Sequence, residues 1–298
     1  MSITLKQFII GFGLFALAAS LIEGIALTVL KKDYNWRAAG ASLFIAAGRR
    51  LVDLVPIAVA FPGGMWLYEN RIFNIPLTQW WAWALLFFGL EFFYYWYHRA
   101  AHRTRWFWAS HSVHHSPNEF TFSAAYRLAW TSKISMALVF YLPLAWLGFP
   151  PQMILAAYAI NLLYQFWIHA EWIPKLGFLE GIVNTPSAHR VHHGANLEYL
   201  DVNYGGILLI FDRMFGTYRT EREDVKFRYG LVEPQLSNNP FKILFSQWIY
   251  LIRDIVQSKS LLTAFKYLVK PPGWSPHARG KTTEELRRTN QLRPFHEK

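Results

Sequence analysis

Nine of the eleven histidines in this 298-residue chain lie between positions 98 and 193, and their spacing is where chemistry is most readable. The first group is His98-Arg99-Ala100-Ala101-His102, the second His111-Ser112-Val113-His114-His115 and the third His189-Arg190-Val191-His192-His193, with His169 between the last two. On an α-helix residues four apart share a face, and positions i, i+3 and i+4 span about 100° of arc, so each group can turn its imidazoles to one side. A single histidine is most often a satisfied core or surface residue. At a frequency of 11 in 298, however, an H-x-x-H-H string is expected about 0.015 times in such a chain, and it occurs twice. Imidazoles gathered this densely repel one another when protonated and need partners when neutral, and metal ions meet both demands. Two metals with five or six positions each want roughly ten to twelve donors, so nine histidines suit a dinuclear site with room for water, oxygen or a further side chain. The absence of cysteine excludes thiolate zinc, iron–sulfur clusters, disulfides and a cysteine nucleophile. Imidazole suits zinc, copper, iron and nickel alike, so ligand type does not name the metal.

The elements that must position these groups are read from an apolar chain. It is 53% hydrophobic, 18% aromatic and only 16% charged, against about 25% charged in soluble proteins. The formal net charge of +11 resides mostly beside apolar stretches, which fits anionic headgroups and a positive-inside bias rather than nucleic acid. Residues 8–30 form a first candidate span, read as an uncleaved anchor because Lys31, Lys32, Arg37, Arg49 and Arg50 follow it and only Lys6 precedes it. Leu51–Leu67 is a second candidate, weakened by Asp53, Pro56, Pro62 and Gly63-Gly64, and Leu77–Tyr97 is a clearer third. Lys133–Ile168 reads as a helical hairpin of two arms near 17 residues, hinged at Phe149-Pro150-Pro151. Gly205–Phe215 and Phe241–Ile255 read as interfacial or covering segments. With the 31–50 loop inside, every histidine group falls on the cytoplasmic face. The expected fold is all-α: a polytopic integral membrane helix bundle with a cytoplasmic, histidine-rich helical cap. Three regions follow, N-terminal membrane-anchoring segments at 1–76, a catalytic core at 77–220 and a cytoplasmic or interfacial extension at 221–298. Gly11-Phe12-Gly13-Leu14-Phe15-Ala16 matches a dinucleotide fingerprint by letters only, because no strand precedes it. A polar dinuclear centre beside an apolar, aromatic bundle suits oxidation of a lipid C–H bond, for which iron and dioxygen are the usual means.

These residues resemble the membrane fatty acid hydroxylase and sterol desaturase superfamily, whose members carry three such histidine boxes. Asn184-Thr185-Pro186-Ser187, the third box with Gly194, Asp201-Val202-Asn203-Tyr204-Gly205-Gly206 and Phe211-Asp212-Arg213-Met214-Phe215-Gly216-Thr217 look like the family's C-terminal core. Tyr229-Gly230-Leu231-Val232 and Pro271-Pro272-Gly273-Trp274-Ser275-Pro276 look like the alkylglycerol monooxygenase branch and its bacterial relatives. The resemblance runs from about 77 to 276. It implies a membrane-bound non-haem di-iron oxidoreductase that spends dioxygen and two electrons on hydroxylating or desaturating a lipid of sterol, fatty acyl or alkylglycerol type. It also implies two iron ions (Fe2+/Fe3+) held by His98, His102, His111, His114, His115, His169, His189, His192 and His193. Electrons would come from an external donor, a reduced pterin in the alkylglycerol monooxygenase branch and cytochrome b5 or a ferredoxin-type protein more broadly. The membrane would be a bacterial inner membrane or the endoplasmic reticulum. Two positions depart from the pattern: Ala188 stands where many relatives have another histidine, and Ile173 where some carry a partner for His169.

Around the ligands, Glu91 lies seven residues before His98 on the same helical face, where an acid could orient an imidazole. Asn203 is a candidate direct or water-mediated ligand, and Asp201 or Asp212 a candidate acceptor for an imidazole N–H, against turn and capping roles for all three. Arg99 and Arg190 are expected to pair with carboxylates or phosphates. The rival class is a histidine-rich metal transporter or non-catalytic scaffold. Transport wants polar ligands midway through the spans, whereas these boxes lie beyond the apolar segments.

Overall fold

The computed structural model describes residues 3–53, 60–276 and 281–291. Within them the chain is helical, with only isolated bridges outside the helices. The α-helices in chain order are α1 (Ile3–Val29), α2 (Trp36–Asp53), α3 (Ala60–Glu69), α4 (Trp80–Arg103), α5 (Arg105–His115) and α6 (Leu142–Leu147). They continue with α7 (Pro151–Trp167), α8 (Pro186–His193), α9 (Ile210–Met214), α10 (Pro240–Val256), α11 (Leu261–Val269) and α12 (Thr283–Gln291). Residues 54–59 of the second candidate span lie outside the described residues, as do His277 and His296.

Among the described residues one stretch, Ile10–Val29 of α1, is long and apolar enough to cross a membrane. Most of its large apolar side chains face outward, including Ile10, Leu14, Phe15 and Ile22. The buried stripe is Ala16, Ser20 and Glu23, at helical spacing. Glu23, the one acid of this span, accepts from Phe122 N at 2.7 Å and Trp172 Nε1 at 3.0 Å, while Ser20 donates to the Tyr126 hydroxyl at 3.0 Å. These bonds moor the helix to the region after α5.

α4 is 24 residues, about 36 Å long, and carries a continuous buried stripe through Leu86, Leu90, Tyr94, His98 and His102. Leu86, Leu90 and Tyr94 pack with Tyr141, Leu144, Phe149 and Ile154 into the main apolar cluster, so the same stripe passes from core to histidines. At Thr104 the backbone turns extended, and α5 starts at once beside the end of α4.

The anticipated hairpin at 133–168 is half realised. Its second arm is α7, 17 residues starting with Pro151 in the first turn, where a missing N–H costs nothing. The first arm is not a 17-residue helix. It runs as 3₁₀ turns at Trp130–Lys133 and Ala137–Tyr141, then as six-residue α6. Met136 sits in the left-handed region at φ 56°, which no α-helix continues through, and Pro143 is confined to the first turn of α6. At the hinge Gly148 has φ 126°, open to glycine, and a Cβ there would collide with the Phe73 carbonyl.

Gly205–Phe215 is a loop ending in five-residue α9, with Leu209 and Asp212 fully buried. α10 is amphipathic and buries Ile243, Leu244 and Leu251 against α5 and α2, so the C-terminal region packs directly on the histidine-bearing helices.

Candidate metal centre

α4 presents His98 and His102 one turn apart, α5 presents His111, His114 and His115, and His169 follows the last turn of α7. α8 supplies His189, His192 and His193. This eight-residue helix is held open at its N-terminus by Pro186 and by Thr185, whose hydroxyl accepts from Ala188 N at 3.1 Å.

The nine side chains converge as two groups. His98, His102, His111, His115 and His192 form one; His114, His169, His189 and His193 form the other; within each, one nitrogen per ring lies within 4.8 Å of all the rest. α5 and α8 each feed both groups: His111 and His115 point one way and His114 the other, while His189 and His193 oppose His192. The groups adjoin where the His115 and His193 rings stack at 4.3 Å between centroids.

Backbone carbonyls fix which nitrogen is bare. Nδ1 of His98 lies 2.8 Å from Tyr204 O, that of His192 2.9 Å from Val202 O, and that of His169 2.7 Å from Gln165 O. A carbonyl only accepts, so Nδ1 carries the proton and the Nε2 lone pair faces the group's interior. Nε2 of His102, His192 and His193 is buried with no hydrogen-bond partner. Nε2 atoms face one another at 2.9 Å for His98 and His111, 3.2 Å for His111 and His115, and 3.1 Å for His169 and His189. Ligands at right angles on a metal with bonds near 2.1 Å stand about 3 Å apart, so these donors fit transition-metal ions. Burial, then repulsion by neighbouring imidazoles, holds His98, His111, His114, His115, His189, His192 and His193 well below the ordinary histidine range. Burial alone lowers His169 to about 4. At neutral pH these rings are uncharged, the form that coordinates.

Residues 83–217 match the fatty acid hydroxylase family. The chain contains a fatty acid hydroxylase domain. It is 38% identical to alkylglycerol monooxygenase of Homo sapiens over 265 residues, 88% of this chain and 59% of that protein. Against alkylglycerol monooxygenase of Danio rerio it is 40% identical over 228 residues, 76% of this chain and 50% of the relative. Ornithine lipid hydroxylase of Rhizobium tropici is 30% identical over 128 residues, 43% of this chain and 39% of that protein. The chain thus spans between half and three-fifths of the length of these two alkylglycerol monooxygenases. No solved structure matches it. The hydroxylase domain takes in all nine clustered histidines, beginning inside α4 and ending just beyond α9.

Around the clustered histidines, Asp201 is the carboxylate that approaches an imidazole. Its Oδ1 is 3.5 Å from His102 Nδ1 and its Oδ2 3.2 Å from the Arg103 guanidinium. Burial pushes this carboxyl up, but His102 and Arg103 outweigh it and hold it below the usual carboxylate range. Glu91 touches no histidine. It accepts from Ile207 N and Leu208 N, both at 2.8 Å, and from the Asn161 amide, tying α4 to α7 and the 205–208 loop. Asn203 is no ligand either: its amide donates to Ala188 O and Arg219 O, and its oxygen accepts from Arg219 N at 2.8 Å. The turn role prevails because Asp201 and Asn203 are both left-handed, at φ 56° and 55°, a region Asp and Asn tolerate best. That double reversal aims the Val202 and Tyr204 carbonyls at His192 and His98. Asp212 accepts from Tyr204 N and Gly205 N rather than from an imidazole, and burial raises it to about 6. Arg190 pairs with Glu221 at 2.7 Å and donates to the Ile173 carbonyl, while Arg99 lies over the Trp96 ring and donates to Tyr95.

Three supports were not read from the sequence. The accepting carbonyls of Val202, Tyr204 and Gln165 leave no mark in it, because every residue has one. Phe120 stacks between His169 and Tyr229, and no pattern marks it. Trp108, which packs on His102 and His115, was findable: it stands three residues before His111 on the same helical face. A cavity of about 500 Å³ reaches His102, His115, His192 and His193, with Trp108 and Asp201 in its wall. α10, α12 and segments 230–233 and 271–273 contribute most of the remaining wall.

Proposed function

We propose that this chain is a membrane-bound non-haem di-iron monooxygenase that uses dioxygen to hydroxylate a lipid, or to desaturate it, with a sterol, fatty acyl or alkylglycerol type substrate. The observation that carries the reading is the partition of nine histidines, seven buried and two half-buried, into groups of five and four, each with bare nitrogens turned inward. His98, His102, His111, His115 and His192 would hold one iron and His114, His169, His189 and His193 the other. The relatives' names favour a polar lipid as substrate.

Two bound ferrous ions supply the redox chemistry with dioxygen: one C–H bond and one O2, with two electrons and two protons, become one C–OH and one water. The chain's own groups prepare the site. Tyr204 O, Val202 O and Gln165 O keep a proton on Nδ1 of His98, His192 and His169, which leaves Nε2 free to bind. Asp201 faces Nδ1 of His102 and orients the ring. Phe120 and Trp108 pack on the rings and restrict their orientation. The cavity gives a substrate access to the five-histidine group. Electrons come from an external donor, a reduced pterin or a cytochrome b5 or ferredoxin-type protein. We place the protein as multi-pass: α1, α4 and α7 all cross toward the face that carries the metal site, and the chain returns to the far side before α4 and again before α7. α4 turns Trp80, Trp83, Leu85 and Phe88 outward, and the basic residues after α1 put the metal site on the cytoplasmic face.

The test is iron stoichiometry by mass spectrometry with dioxygen-coupled lipid oxidation, on wild type, His192→Ala and His189→Ala. We expect about two irons in wild type and about one in each variant, because each removes a ligand from a different group, with activity lost in both. Wild type that binds no iron on reconstitution, or variants that oxidise lipid undiminished, would overturn the reading.

A further inference from the structure

The outer faces of α10 and α11 carry an apolar surface that none of the described residues covers. On α10 the exposed residues Phe241, Ile249, Ile252 and Val256 recur at helical spacing opposite the buried Leu244 and Leu251. α11 turns Tyr267 inward, against the Arg105 guanidinium, and exposes Leu261, Leu262, Phe265 and Val269. Val256 is 76% and Leu261 91% exposed, and with their neighbours they form one apolar face rather than scattered side chains.

Two observations name the occupant. Residues 240–270 contain Lys242, Arg253, Lys259, Lys266 and Lys270 against the single acid Asp254, which Arg105 holds at 2.5 Å and Arg253 approaches more loosely at 3.6 Å. Basic residues fringing an apolar helical face are the pattern of a helix lying in the headgroup layer of an anionic bilayer, which attracts each cation near its surface. The surface is also continuous with the candidate span. Trp36 at the start of α2 donates from its indole to Thr28 of α1 at 3.1 Å, and the exposed Phe44 of α2 meets Phe241 of α10 at 5.7 Å between ring centroids.

We propose that the α10–α11 hairpin is an interfacial membrane module, seated on the anionic lipid surface of the membrane that α1 enters. Its position gives it a task. Tyr250 and Arg253 of α10 stand at once on its solvent side and in the wall of the cavity that reaches His102, His115, His192 and His193. The hairpin therefore places the cavity mouth at headgroup level, with Arg253 at the rim to receive an anionic or polar head. This delivery step rests on the lipid oxygenase reading; the seating does not.

Because the chain has no cysteine, single substitutions Ile252→Cys and Leu262→Cys accept one spin label each, with exposed Glu223→Cys as a reference. The full chain is placed in nanodiscs of 70% phosphatidylcholine and 30% phosphatidylglycerol, and relaxation by oxygen is compared with relaxation by a water-soluble nickel chelate. The expected result is preferential oxygen relaxation at 252 and 262 and preferential nickel relaxation at 223. Nickel preference at all three would overturn the seating, and dipolar broadening at 252 or 262 would assign the face to a second copy instead. Delivery is read with Leu262→Glu/Phe265→Glu: KM for lipid in anionic vesicles should rise about tenfold at unchanged iron content. An unchanged KM would reject delivery. If wild type oxidises no lipid, the oxygenase reading fails while the label data still decide the seating.

Discussion

At His102 the side chain that sets the imidazole is Asp201, and its substitution isolates one ligand's support. Asn tolerates the left-handed backbone at 201, so Asp201→Asn keeps the turn while removing the anion from His102 and Arg103. Loss of a carboxylate behind a ligating histidine typically costs 10- to 100-fold in metal affinity or activity. Iron titration should therefore show one iron bound about 10- to 100-fold more weakly and the second unchanged, because His102 belongs to the five-histidine group alone. Equal weakening of both irons, or of neither, would refute the assignment. The candidate ligands were legible in the sequence because imidazole is rare and their helical spacing is local. Glu91 and Asn203 were legible only as buried polar residues. Whether such a group faces a metal or a peptide depends on the path of a loop many residues away, here the 201–208 reversal, which spacing does not encode.

That reversal is the element on which the five-histidine group leans. Val202 and Tyr204 supply the carbonyls for His192 and His98, and the stretch is pinned at both ends, by Asp212 on Tyr204 N and Gly205 N and by Glu91 on Ile207 N and Leu208 N. The loop also lies tight against α7: a Cβ at Gly206 would collide with the Asn161 side chain that bonds Glu91. Glu91→Ala leaves two buried amides without acceptors, at about 1–3 kcal/mol each. The expected outcome is a lower thermal midpoint in detergent and loss of iron from the five-histidine group first, with Glu91→Gln recovering part of both through its remaining carbonyl oxygen. A Glu91→Ala protein of unchanged midpoint and full iron content would show that the loop holds itself. At this scale the sequence was a mixed guide. Lengths and apolar runs were enough for α4 and α7. They misread 133–147 because a run of apolar residues looks alike as a helix or as 3₁₀ turns, and the left-handed Met136 has no signature.

For the whole molecule, the decisive quantity is the number of uncharged imidazoles held together away from water. Eight of the nine carry lowered proton affinity, first through burial and, except in His169, then through each other. His169 falls from 6.5 to about 4, so between those values the unfolded chain holds more protons than the folded one. Stability must then rise with pH across that window, being complete above about 6.5 and lost as pH falls towards 4. Asp212 acts in the opposite sense: raised from 3.8 to about 6, it favours the folded state at low pH and loses that contribution as pH rises through about 6. Glu171 is raised by burial in the same sense, but these few carboxyls do not offset eight rings, so the metal-free protein should melt at progressively lower temperature from pH 6.5 down to 4. Iron competes with protons for the same nitrogens, so the iron-loaded protein should hold its midpoint to lower pH before releasing metal. Thermal scans by circular dichroism in detergent, with and without iron, check both curves. A metal-free midpoint that is flat or rising on acidification would mean that the histidines are solvated and that the cluster is not the buried, neutral ligand set on which the oxygenase reading depends.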